Sequence, residues 1–183
     1  MQRHRQSKAF IFRGEEGFTL IEWVLVIVIV GIIAIVVSLN LGGLSSIKLN
    51  NAVNKMVGDL RYAQQSAITT QSRHGLTVDS LQVYSVHKDT AGVDTDIKDP
   101  TNLGQDFVVD FDTYQQGQLN GVRFSSSTPF CGGGGESAME FNSLGAPTRT
   151  DSTVLTCTST ITLSHSGTTK TITIEPNTGK LTY

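Results

Sequence analysis

From Trp23 to Val37 every residue is apolar or glycine, and no charged side chain occurs between Glu22 and Lys48. A helix needs about 20 apolar residues to cross a bilayer core. Phe18 to Val37 supplies that length with one charge inside it, Glu22. A core helix of a soluble domain is seldom apolar on all faces for so long. The Val and Ile run lowers intrinsic helicity, but lipid offers the backbone no other hydrogen-bond partners, so a helix is predicted. Arg3, Arg5, Lys8 and Arg13 precede the run. The positive-inside rule then predicts a cytoplasmic N-terminus and a translocated remainder, periplasmic in a Gram-negative cell. The run is longer than the apolar region of a secretory signal, and Ser38-Leu39-Asn40 is a poor small-residue cleavage site. It is therefore predicted to stay as a single-pass inner-membrane anchor in contact with lipid.

Charge is distributed unevenly around that run. The whole chain has a net charge of −2, from 14 basic and 16 acidic residues. Setting aside the four basic and two acidic residues of 1–17 leaves 10 and 14, a net of −4. A body of that sign gives no electrostatic footprint for nucleic acid.

Beyond the apolar run the residue pattern changes twice. Leu49, Val53, Met56, Leu60, Ala63 and Ala67 recur at spacings of three and four, which predicts one buried stripe on a helix. Asn54, Lys55, Asp59, Arg61 and Gln65 fall on the opposite, solvent-facing side. After His74-Gly75 the period becomes two. Strands are predicted at 76–78, 82–86, 107–111, 122–124, 139–141, 161–163, 170–174 and 180–183, with turns at Asp79-Ser80 and at Pro176 to Gly179. The class this predicts is α+β, a long N-terminal helix followed by an antiparallel β domain.

Gly17-Phe18-Thr19-Leu20-Ile21-Glu22 stands at the head of the apolar run. A carboxylate at that depth costs several kcal/mol and is usually functional and partnered. The hexapeptide and the unbroken apolar helix after it resemble the prepilin signature of the type IV pilin and pseudopilin family. The resemblance implies that 1–17 is a leader peptide, removed by prepilin peptidase between Gly17 and Phe18. It implies N-methylation of Phe18, and Glu22 as the carboxylate that meets a neighbouring subunit's new α-amine in the filament core. Residues 18–42 would be the transmembrane and filament-core half of the helix, 43–73 its periplasmic amphipathic half, and 74–183 the globular β domain. The partners implied are other pilin or pseudopilin subunits, the peptidase and an inner-membrane assembly platform. Glu15 and Glu16 stand where the family more often has basic residues. Trp23 replaces an aliphatic residue, and Leu39 lies where many major pilins carry a kinking proline. Gly42-Gly43 is a place where the helix can loosen instead.

Three further stretches, Asp59 to Ile68, Phe141 to Pro147 and Thr171 to Leu181, resemble the GspH/FimT branch of the family, and MSHA-type minor pilins are similar. The role implied is a structural minor pilin or pseudopilin that primes or enters a type IV pilus or a type II secretion pseudopilus. The alternative is a minor pilin whose β domain is a binding module for a surface or a secreted substrate.

No other motif points to chemistry. Cys131 and Cys157 are expected to form a disulfide if their half is exported, and to be free thiols if it is not. Asp94, Asp96 and Asp99 are weak calcium candidates in what reads as a solvated acidic loop. Cys131 to Gly135 lacks the Lys-Ser/Thr of a phosphate-binding loop. His74, His87 and His165 stand singly, with no metal-ligand spacing. No cofactor, no metal and no enzymatic activity are predicted.

Overall fold

The computed structural model describes residues 17–90, 92–126, 128–131 and 136–183, apart from the side chains of 36–43. Residues 1–16, all but the last of the predicted leader 1–17, and the glycines 132–135 lie outside the described residues. The chain divides into two compact units, the first ending at Leu41 and the second running Gly42–Tyr183.

One helix, α1, runs Leu20–Thr70. Within the second unit its buried positions are Leu49, Ala52, Val53, Met56, Val57, Leu60, Ala63 and Ala67. These are the predicted stripe plus Ala52 and Val57, which widen it to the face a globular helix buries.

Twelve strands follow among the described residues. The first six are β1 (His74–Val78), β2 (Val83–Thr90), β3 (Val93–Asp96), β4 (Lys98–Asp99), β5 (Asn102–Asp106) and β6 (Val108–Asp110). The rest are β7 (Arg123–Phe124), β8 (Ala138–Phe141), β9 (Pro147–Thr148), β10 (Ser159–His165), β11 (Thr168–Ile174) and β12 (Leu181–Thr182). One sheet has the order β3-β2-β1-β8-β9, and β6 shares the β3 edge of β2. A second has the order β12-β11-β10-β7, and β4 pairs β5 alone. All named pairings are antiparallel. The α+β class expected from the sequence is the class observed.

Two sequence readings are corrected. The acidic stretch 94–99 is not a loop: Asp94 and Asp96 belong to β3, in register with Asp89 and His87 of β2, and Asp99 ends β4. β3 is exposed at all four positions, so no apolar alternation marks it, and its order comes from pairing to β2. The second correction is Asp59, expected on the solvent side and found buried. Its carboxylate accepts from Lys55 Nζ at 2.6 and 2.7 Å and from Tyr84 Oη at 2.6 Å. Burial pushes the Asp59 carboxyl above its ordinary range, and Lys55 pulls it back. Tyr84 is fully buried, and its ring packs on Phe111 and Phe124 at centroid distances of 5.7 and 6.1 Å. Tyr84→Phe keeps that packing and strips one hydrogen bond from a buried carboxylate. We expect it to cost about 1.5–3 kcal/mol, read by chemical denaturation of the full chain in detergent. A loss below about 0.5 kcal/mol would mean that Lys55 alone satisfies Asp59.

Gln64 joins the three stretches that carry the branch-level resemblance. Its amide, on α1, donates to the carbonyl of Gly145 at 2.8 Å and to that of Thr178 at 3.3 Å. Gly179 lies against it with φ +63°, and a Cβ there would come within 2.6 Å of both Gln64 Nε2 and Gly145 O. The closing turn needs glycine for its conformation and for this approach.

Cys131 and Cys157 form a disulfide. Their separation of 26 residues gives about 3 kcal/mol of stabilisation in the chain-entropy account. It ties the segment before β8 to the segment before β10.

Candidate functional site

The first site is the head of α1. Thr19 precedes the first helical residue, and its carbonyl accepts from the backbone N–H of Glu22 at 3.0 Å and of Trp23 at 3.3 Å. The Glu22 carboxylate reaches back and accepts from the Thr19 N–H at 3.3 Å. This is the carboxylate half of a capping box, which satisfies one of the N–H groups a helix start leaves unpaired. Glu22 therefore has a local role within a single chain, which the sequence reading did not assign. Phe18 and Trp23 meet edge to face, with centroids 6.4 Å apart. Together with Glu22 and Val26 they line a shallow hollow.

Around this head the helix is bare. Leu20 is 82% exposed, Ile27 66% and Ile35 65%. An apolar face of that extent marks contact with lipid or another protein. Among the described residues no helix is long and apolar enough to cross a membrane. The predicted span also includes Val36 and Val37, whose side chains lie outside the described set.

The second cluster lies on the face of the first sheet away from its core. Asp96, His87, Gly75, Glu140 and Thr148 form one row across β3, β2, β1, β8 and β9. Asp94, two residues from Asp96, brings its carboxylate to 3.6 Å from His87 Nε2. Glu140 Oε1 is 3.8 Å from the same nitrogen. Thr77, Asp79, Ser85, His87, Asp94 and Asp96 line one pocket here, with Val108 at its edge. Of the three calcium candidates, Asp94 and Asp96 meet there. Asp99 does not: its carboxylate accepts from Thr101, in a different hollow beside Tyr114. His74 and His165 lie apart from the cluster, His74 with its Nδ1 against the Ser72 carbonyl at 3.0 Å. Sequence reading missed the meeting of His87 with Glu140. Its only trace was a Glu between Met139 and Phe141 in a strand and a Gly inside another.

Residues 12–38 match the family model for the prokaryotic N-terminal methylation motif. No curated protein and no solved structure matches the chain. The matched stretch contains Gly17, Phe18 and Glu22. It supports a type IV pilin or pseudopilin precursor.

Proposed function

We propose that the chain is a structural minor pilin or pseudopilin, cut between Gly17 and Phe18 and methylated on Phe18, whose helix head enters a filament through Glu22. The observation that carries this reading is the capped Glu22 carboxylate beside Phe18 on an otherwise bare apolar helix. In the membrane the exposed run is covered by lipid, which makes the precursor a single-pass inner-membrane protein with its β domain in the periplasm. In a filament the same run is covered by other subunits. The disulfide fits an oxidising compartment. The convergence of the three branch-typical stretches at Gln64 favours a GspH/FimT-like subunit. The presence of Glu22 favours a position with another subunit stacked above it.

The test is the intact mass of the chain purified from membranes of cells with an active prepilin peptidase. We expect a mass that begins at Phe18 and carries one extra methyl. A mass that retains 1–17 would overturn the reading and leave an anchored β domain.

A further inference from the structure

The polar row on the first sheet is built around a missing side chain. In β1, Gly75 faces His87 on one side and Glu140 on the other. A Cβ at 75 would come within 2.8 Å of both His87 Nε2 and Glu140 Cγ. Only glycine leaves room for these two side chains to meet across the middle strand. His87 is 2% exposed and Glu140 0%. Among the described residues, His87 Nε2 and both Glu140 carboxylate oxygens have no hydrogen-bond partner, although buried polar groups almost always have one.

Each side chain is held from behind. His87 Nδ1 lies 3.2 Å from Thr77 Oγ1. With the proton on Nδ1 donated to that hydroxyl, the Nε2 lone pair points at the acids, the outer-shell arrangement of metal-bound histidines. Arg73 Nε sits 3.2 Å from Glu140 Oε2, and Arg73 also pairs with Asp89. That leaves Oε1 for the site. Asp94 comes from the exposed side, its side chain 42% exposed. The surroundings are acidic. Asp79 and Asp96 line the same pocket as His87 and Asp94.

We infer that His87, Asp94 and Glu140 form a binding site for a borderline divalent transition metal of the zinc class. The three ligand atoms lie within 4.8 Å of one another. Nε2 to the two carboxylate oxygens measures 3.6 and 3.8 Å. A tetrahedral site with bonds of about 2.0–2.1 Å has ligand edges of about 3.3 Å, so the two edges at His87 are longer by only a few tenths of an ångström, and the edge between the two carboxylates, at most 4.8 Å, closes by movement of the exposed Asp94 side chain. The distances are also too long for direct hydrogen bonds. An imidazole among carboxylates selects zinc-class ions over calcium or magnesium, which prefer all-oxygen shells. The open pocket on the Asp94 side admits the ion and leaves space for water as a remaining ligand. The ion would clasp exposed β3 to the central strands β2 and β8.

The experiment is calorimetric titration of Zn2+ into the full chain, purified in detergent and stripped with a chelator. The expected result is one strong zinc equivalent per chain. Asp94→Asn should weaken it at least tenfold and leave the metal-free melting temperature unchanged, because the side chain is at the surface. His87→Gln should abolish it. If that variant does not fold, Asp94→Asn decides alone. The control is Asp151→Asn, a surface acid bonded to Thr153, which should titrate like the parent. Three results would overturn the inference: no zinc binding, which leaves an ion-pair network only; zinc binding untouched by Asp94→Asn, which places the ion elsewhere; and calcium bound as tightly as zinc with the same dependence on Asp94.

Discussion

Glu22→Lys should leave membrane insertion and cleavage after Gly17 intact and lower incorporation into filaments by about 100-fold or more. The carboxylate lies in the matched methylation motif, four residues after Phe18, at the head of a run that is apolar or glycine at every position from Trp23 to Val37. On the proposed reading, the neighbouring subunit's α-amine in a filament core needs an anion. Leaving a buried charge without its partner costs about 3–5 kcal/mol, and each 1.4 kcal/mol is a factor of about ten. Lysine adds repulsion to that loss. The capping bond from the Thr19 N–H to Glu22 at 3.3 Å offers a second role, and Glu22→Gln separates the two. The amide oxygen of Gln accepts from Thr19 as the carboxylate does, but it has no charge to give a neighbour. If the charge pair is what matters, Gln fails in assembly nearly as fully as Lys. If Gln assembles like the parent while Ala does not, Glu22 serves its own helix and the charge-pair mechanism is wrong. The measurement is the ratio of chain in the sheared filament fraction to chain in the membrane.

The helix and most strands were legible because their signals are local and periodic. The stripe from Leu49 to Ala67 appears in the sequence as it is buried in the structure, and the hairpin around Asp79-Ser80 joins β1 to β2 as its turn residues predict. What escaped depends on pairing between distant segments. β3 has no apolar face, so nothing in Val93 to Asp96 distinguishes a strand from a solvated loop. β9 is two residues long, Pro147-Thr148, and is defined by Glu140 and Phe141 opposite it. Asp59 looked like a surface residue on its helix because Tyr84, its partner, lies 25 residues away. The methylation motif that holds Gly17, Phe18 and Glu22 was legible because it is contiguous. The His87 cluster was not, because its three members come from three strands that only the sheet order places side by side.

Gly75→Ala should cost about 3 kcal/mol or more and lower the melting temperature of the full chain by roughly 6–12 °C, although it adds a single methyl group to a strand. The position is fully enclosed. A Cβ there would overlap the backbone carbonyl oxygen of Met139, besides crowding Glu140 Cγ and His87 Nε2. The two side chains can rotate away, but the carbonyl cannot move without shifting β8, which pairs β1 from His74 to Thr77. β8 in turn carries Met139 and Phe141, both fully buried in the core. The methyl therefore sets the spacing of two central strands against the packing behind them. Removing the mobile neighbour tests which obstacle dominates. In a Gly75→Ala background His87→Ala clears the imidazole and leaves the carbonyl, so it should recover less than half of the loss. Full recovery would show that the crowding is between side chains. A Gly75→Ala protein within about 0.5 kcal/mol of the parent would show that β1 and β8 separate freely, and that this glycine is not what brings His87 and Glu140 together.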